Sequence, residues 1–281
     1  MSVEKPTVQG IALLLKELRR RQPLVHNITN LVVTNWTANG LLSLGASPIM
    51  AHEPQEIDDL SKICDSLLLN IGTLDERMME SMRIAQLRYR RREKPIVLDP
   101  VGAGATQLRT TFSQELISIG VSIIRANASE ILALVEDYST DQGAATRGVD
   151  SAPEASSDLE KLKQAALWLS RRRDCCVSIS GPTDVILWRD HCVTFSRGHE
   201  ILTKVTGSGC LLSAVTAAFS AVTGSMLEAS LAASACLSLA AEKAEKLSRG
   251  PGSFQTHLLD EIWNLDDKDF EGLEFDFQEC A

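Results

Sequence analysis

Apolar positions along this chain fall into two periods, and the two alternate. In residues 11–21, Ile11, Leu14, Leu15 and Leu18 recur at helical spacing with charges on the opposite side, which predicts an amphipathic helix ended by Pro23. Residues 24–30 follow as a short apolar strand or turn running into polar groups, where Thr29 or Asn30 would cap a helix over about 31–44. Within that helix Asn35 and Asn39 lie four apart, on one face. They either bond neighbouring loops or, with His26 and Asn27, line a small-molecule pocket. A turn and short strand at 45–50 end on Met50. Continuous apolar runs at 66–72, 94–100 and 120–127 then predict strands covered on both faces, separated by helical segments at 56–63, 75–91 and 111–119.

A stretch rich in Ser, Ala, Gly and Asp at 140–158 reads as a flexible insertion, because the alternation resumes after it. A helix at 159–171 precedes three closely spaced strands at 175–180, 184–188 and 192–196, whose short turns predict an antiparallel margin. Two apolar helices at 211–222 and 226–248, a tight turn at 250–254 and a last helix at 257–264 complete a single domain over 1–264. The fold class is α/β, with a mainly parallel central sheet, helices on both faces and an antiparallel margin. Such sheets bind ligands at the carboxyl ends of their strands. Asn70, Asp99, Arg125 and Asn127 each close an apolar strand, and four polar strand ends together favour a site over isolated turns.

Composition changes little in this picture but removes several function classes. The net charge is −9, yet seven acids against one lysine fall in 264–281, so the body is nearly neutral and the end is expected as a mobile acidic tail, 265–281. Neither nucleic acid nor a membrane is an expected partner. Run 226–241 is apolar but shorter than the ~20 residues a membrane span needs, and it carries Glu228. Seven scattered cysteines without a Cys-x-x-Cys pair point to a reducing, cytoplasmic setting.

The chemistry centres on Thr203-Lys204-Val205-Thr206-Gly207-Ser208-Gly209-Cys210, immediately before the apolar helix. Gly207 and Gly209 allow backbone N–H groups to converge, and the helix start adds free donors and a positive dipole end: an anion hole for phosphate. On those residues alone, an ordinary glycine-rich loop before a core helix is the simpler reading. No Gly-x-x-x-x-Gly-Lys loop, Gly-x-Gly-x-x-Gly fingerprint, His-Glu-x-x-His or zinc spacing is present. Asp99 and Glu130 add two carboxylates, and with an anion hole these suggest nucleotide phosphate, Mg²⁺ and phosphoryl transfer. A cysteine-nucleophile acyl transferase would need a histidine near Cys210, and no ordered motif supplies one.

These segments resemble the hydroxyethylthiazole kinase family of the ribokinase-like superfamily. The likeness runs from about Pro23 to about Leu259, through Pro23-Leu24-Val25-His26-Asn27-Ile28-Thr29-Asn30, Gly45-Ala46-Ser47-Pro48-Ile49-Met50, Leu98-Asp99-Pro100-Val101-Gly102-Ala103-Gly104-Ala105, Asn127-Ala128-Ser129-Glu130 and the loop ending at Cys210. The resemblance implies transfer of the ATP γ-phosphate to the primary alcohol of the thiazole. It implies thiazole contacts from Met50, Gly207 and Asn27, and ATP contacts from Arg125, Ser180, Thr206 and Gly209. It further implies Mg²⁺ held by Asp99 and Glu130, and Cys210 in the place of the catalytic aspartate of sugar-kinase relatives. A helix N-terminus would lower the Cys210 pKa and favour thiolate, though positioning should outweigh base strength. A homotrimer with sites at subunit boundaries is also implied. The alternatives are another ribokinase-like kinase, such as one for hydroxymethylpyrimidine, or a non-catalytic sensor. Two departures stand out: Arg125-Ala126-Asn127 where the family commonly has Arg-Gly-Asn, and Ser180 where threonine is common. Ala126 would be strained if its φ were positive.

Overall fold

The computed structural model describes residues 4–135 and 156–280. The first part runs α1 (Val8–Arg21), β1 (Leu24–Ile28), α2 (Thr34–Leu44), β2 (Ser47–Met50), α3 (Ile57–Ile63), β3 (Ser66–Asn70), α4 (Glu76–Arg91), β4 (Ile96–Asp99), α5 (Gln107–Ile119), β5 (Ile123–Asn127) and α6 (Ala128–Leu134). The second runs α7 (Ser156–Arg173), β6 (Cys176–Ser180), β7 (Asp184–Trp188), β8 (His191–Phe195), α8 (Ser208–Ser220), α9 (Met226–Leu247), α10 (Pro251–Asn264) and β9 (Asp276–Glu279). Apart from its last three residues, which open α7, the insertion expected at 140–158 lies outside the described residues.

The strands form one sheet in the order β2-β1-β3-β4-β5-β6-β7-β8-β9. Pairs from β2 to β6 are parallel and those from β6 to β9 antiparallel; the pattern predicted the parallel part and the margin as far as β8, but not β9. Alternation along each strand sorts the apolar residues into two layers. Val25, Leu68, Val97, Ile123 and Ile186 pack under α1, α2, α8, α9 and α10. Ile28, Leu67, Leu69, Leu98, Ile124 and Val177 pack under α4, α5, α6 and α7 on the other face. Helices α8 and α9 are almost wholly buried, and their small residues let them lie close to the sheet. Two of their buried hydroxyls bond within the helix, Thr216 Oγ1 donating to Leu212 O at 2.8 Å and Ser230 Oγ to Met226 O at 2.9 Å.

Several expectations are corrected. Neither Thr29 nor Asn30 caps α2; Val33 occupies the N-cap and makes no side-chain bond. Asn35 and Asn39 face solvent and bond each other at 3.1 Å, so they line no pocket. The segment 250–254 is not a turn before the helix, because Pro251 opens α10 where its missing N–H costs nothing. The acidic end is no mobile tail. A 3₁₀ turn (Asp267–Phe270) leads to β9, which pairs with β8 from His191↔Glu279 to Thr194↔Asp276. Leu265, Phe270 and Leu273 are buried, and Phe277 stacks on His191 with ring centroids 5.4 Å apart. Apolar residues spaced among the acids anchor this segment while the carboxylates stay in water.

Candidate active site

The sheet's own periodicity assembles the site. Parallel strands in register and a side-chain period of two put Asn27, Asn70, Asp99, Arg125 and Ser180 on one face, all at or beside the carboxyl ends of their strands except Arg125, which is the middle residue of β5 and does not close it as expected. Asn70 and Asp99 stand directly opposite each other, and Arg125 lies beside Ser178, two residues before Ser180. Helix α8 crosses this face and begins at its carboxyl edge.

Hydrogen bonds hold these groups in separate sets, the longest running from Cys210 through Asn30, Asn70 and Asp99 to Ser213. Asn70 Nδ2 and Ser213 Oγ both donate to Asp99 Oδ2, at 2.7 and 2.8 Å. Asn30 Nδ2 donates to Asn70 Oδ1 at 2.9 Å and to Cys210 Sγ at 3.3 Å. Glu130 accepts Gly102 N at 2.8 Å and Asn127 N at 2.9 Å, while Asn127 accepts Glu130 N, a reciprocal box that starts α6. Arg125 Nη2 donates to Ser180 Oγ, and its Nε is buried without a protein partner. Arg109 ties the β3 and β4 loops together by donating to Val101 O at 2.6 Å, Ile71 O at 3.3 Å and Gly72 O at 2.8 Å.

The glycines of the loop are required by space. Gly207 is the N-cap of α8 at φ 85°, and a Cβ there would sit 2.2 Å from Val33 Cγ1. At Gly209 a Cβ would come 2.8 Å from Arg125 Nη1, so the guanidinium lies close against the first turn of the helix. Among the described residues, the N–H groups of Gly209 and Cys210 have no backbone acceptor, consistent with the anion hole predicted. Gly207→Ala is expected to destabilise by at least ~1–2 kcal/mol for the left-handed backbone alone. Combining it with Val33→Ala should recover only part of the loss, and chemical denaturation of both variants measures the split.

Asn27 pairs with Met50 in the β1–β2 register. Its Nδ2 donates to Val25 O at 2.8 Å, and its Oδ1 is buried with no protein partner. Met50 is half-buried on the edge strand and takes no part in the Asp99 network, and Thr206 is exposed on the loop. His26 points to the opposite face, where Nε2 meets Ala51 O at 2.9 Å and Nδ1 meets Tyr89 OH at 3.1 Å. Burial lowers its pKa to about 4, so it is a neutral core histidine and does not line the site. No histidine shares a hydrogen bond with Cys210 among the described residues, which removes the acyl-transferase arrangement. Ala126 sits in β5 opposite Ile179 without a positive φ, so the departure from glycine is accommodated.

Burial dominates the electrostatics. It pushes the Asp99 carboxyl up, against the opposing pull of Arg125, Ser213 and Asn70. It pushes Glu130 up to about 7, helped by the nearby Asp99 charge. Cys210 rises from 9.0 to about 11, through burial first and Asp99 second. The expected low-pKa thiolate is thereby corrected. A helix end is worth about 0.3–1 kcal/mol, whereas this rise corresponds to roughly 3 kcal/mol in the other direction.

Two buried carboxylates that each raise their pKa are a donor set fitted to a hard divalent cation, which would relieve the cost of ionising both. Among the described residues no group of three or more His, Cys, Asp or Glu gathers into a full ligand cage. That suits Mg²⁺, which keeps most of its waters. Sequence reasoning missed Asn30, Ser213 and Arg109. Ser213 had a legible signal, since it lies one helical turn beyond Gly209 on the same face of α8; Arg109 lay outside the predicted helix and had none.

The sequence model of the hydroxyethylthiazole kinase family matches residues 15–268. The chain is 43% identical over 258 residues to a hydroxyethylthiazole kinase of Desulfotalea psychrophila, covering 92% of this chain and 91% of that one. It is 45% identical over 260 residues to one of Syntrophus aciditrophicus, covering 91% and 92%. The solved hydroxyethylthiazole kinase of Pyrococcus horikoshii superposes with a TM-score of 0.87 at 38% identity, covering 96% of this chain and all of that one. A pyridoxal kinase from Staphylococcus aureus, solved with AMP-PCP and pyridoxal, has a TM-score of 0.61 at 14% identity, covering 92% and 99%, which shows a shared fold alone. A ribokinase-like superfamily protein from Enterococcus faecalis, at 0.62 and 10% identity over 95% and 99%, does the same. The chain belongs to the hydroxyethylthiazole kinase family.

Proposed function

We propose that this protein transfers the γ-phosphate of ATP to the primary alcohol of 4-methyl-5-(2-hydroxyethyl)thiazole, forming the phosphate ester used in making thiamine phosphate. The observation that carries this reading is the buried Asn30–Asn70–Asp99–Ser213 hydrogen-bond chain beneath the start of α8, in a chain with this family membership. Arg125, Ser180, Thr206 and Gly209 would bind ATP; the close approach of Arg125 to Gly209 and its bond to Ser180 support that grouping. Asn27, Met50 and Gly207 would hold the thiazole. The unpartnered Asn27 Oδ1 and the half-buried Met50 beside it support that end.

Asp99 and Glu130 would hold Mg²⁺, whose contribution when bound is to neutralise charge on the nucleotide phosphates. The protein's own contribution is position and field. The transferring phosphoryl group carries its charge on oxygens rather than demanding a strong base. Free N–H groups at the start of α8 and the Arg125 guanidinium face that charge in a dry site, where a single preorganised donor is worth about 3 kcal/mol. Cys210, with a pKa of about 11, keeps its proton on Sγ at neutral pH. We therefore expect Cys210→Ala to lower kcat about tenfold, and the native pH profile to show no thiol inflection between about pH 6 and 9; a loss beyond ~100-fold would mark the thiol as an essential base.

The trimer expected from the resemblance is part of this reading. It is supported by the edge strand β2, all four of whose residues are half-buried, and by exposed Leu31, Val32 and Leu42 on the adjoining segment. Native mass spectrometry counts the subunits. Seven cysteines, all free, support a reducing cytoplasmic setting, and no helix among the described residues is long and apolar enough to cross a membrane. The function itself is tested by coupled ADP release from purified protein with and without hydroxyethylthiazole. Release that depends on the thiazole supports the reading. Release only with hydroxymethylpyrimidine, or none, overturns it.

A further inference from the structure

One asparagine outside the expected site is oriented by the carboxylate it never touches. Asn70 donates Nδ2 to Asp99 Oδ2 at 2.7 Å, which turns its Oδ1 away from the carboxyl. That oxygen takes Gly72 N at 3.0 Å and Asn30 Nδ2 at 2.9 Å, which fixes the Asn30 amide with its nitrogen inward. The second hydrogen on the same nitrogen meets Cys210 Sγ at 3.3 Å. The sulfur is thus an acceptor toward the protein, and its own proton is left for another partner.

Packing holds Asn30 in this role. A Cβ at Gly72 would lie 2.8 Å from Asn30 Nδ2 and 2.9 Å from Asn30 Cβ, so the β3 loop offers the asparagine a bare backbone to rest on. The next residue is pinned as well, Leu31 N donating to Thr73 Oγ1 at 3.1 Å. One amide nitrogen therefore joins the segments following β1 and β3 to the first turn of α8.

We infer that Asn30 is a positioning residue for phosphoryl transfer, holding the Cys210 sulfur at its place in the site through its side-chain N–H. The inference rests on the kinase reading above. Without that bond the thiol keeps only its contact with Asn70 and is held less closely, and ~1 Å of misplacement near reacting atoms can cost on the order of 100-fold in rate.

The test uses Asn30→Ala, Asn30→Asp and Cys210→Ala, singly and combined. Turnover is measured with hydroxyethylthiazole at saturating ATP and Mg²⁺. Separately, alkylation of Cys210 by iodoacetamide is followed by peptide mass on ligand-free protein. Asn30→Ala should lower kcat about tenfold with KM within about threefold, and should lower it less than about threefold once Cys210 is already alanine. Asn30→Asp keeps the shape but sets a carboxylate against the sulfur, and should slow alkylation at least about tenfold. Equal kcat losses in both backgrounds, or an unchanged alkylation rate, overturn the inference. The alkylation arm needs no substrate, so it still decides the Asn30 contact if thiazole turnover is absent and the kinase reading alone has failed. Should Asn30→Ala not fold, Asn30→Ser carries the same readouts.

Discussion

Asp99→Asn is expected to lower kcat/KM at least ~100-fold while leaving the ligand-free fold as stable as the native protein or more so. Asp99 is 1% exposed, and both bonds it receives go to one oxygen. An amide oxygen accepts those same two bonds, so the substitution breaks nothing the fold needs. Stability moves the other way from activity. The folded-state pKa is raised above the unfolded 3.8, so the favourable contribution is complete below that value and is lost as pH rises through the folded pKa. Above the unfolded value the native chain therefore carries the cost of burying a carboxyl that ionises freely when unfolded, a cost that asparagine removes. Thermal unfolding without ligand, paired with the coupled ADP assay, reads both halves. Activity above a tenth of native, or a clearly lower melting temperature, would contradict the assignment of Asp99.

Glu130→Gln is expected to raise the Mg²⁺ concentration for half-maximal turnover at least about tenfold and to flatten the pH dependence of stability. Glu130 moves from 4.5 to about 7 in the fold, so ligand-free native protein loses roughly 3 kcal/mol as pH climbs from below 4.5 to above 7. Glutamine has no such titration. Its amide nitrogen, however, must face Gly102 N or Asn127 N, leaving one buried donor unsatisfied at a cost of about 1–3 kcal/mol. The variant should accordingly be less stable than native at pH 5, with the gap closing or reversing by pH 8. Denaturant unfolding at those two pH values measures it. An unchanged Mg²⁺ dependence would remove Glu130 from the metal site.

The strand-end residues were legible because two simple periods carried them. Short apolar runs ending in Asn70 and Asp99, and one that runs on through Arg125 to Asn127, fix both the strand and the end where its polar residue lies. Parallel pairing then puts alternate residues on a common face whatever the loops do. Gly207 and Gly209 were legible as glycines, though the atoms that forbid a side chain there, Val33 Cγ1 and Arg125 Nη1, come from distant parts of the chain.

What escaped the sequence depended on burial or long-range partners. Asn30 bonds residues 40 and 180 positions away, and locally it looks like any helix cap. The Cys210 pKa is set by desolvation and by Asp99, neither visible in a helix start. Asn35 and Asn39 share a helix face as spacing demands, but spacing does not say which face meets the core. The acidic end was misread from its charge, because three buried apolar residues among seven acids suffice to hold it against the body.

The central claim is that the row from Asn27 to Ser180 beneath α8 transfers phosphate to the thiazole alcohol. Its most direct test is the product. Purified protein is incubated with ATP, Mg²⁺ and hydroxyethylthiazole beside the Asp99→Asn variant, and both mixtures are analysed by mass spectrometry and phosphorus NMR. A phosphate monoester on the hydroxyethyl oxygen, formed by the native chain and absent with the variant, is the predicted result. Inorganic phosphate without a phosphorylated thiazole, or an equal yield of ester from the variant, would contradict it.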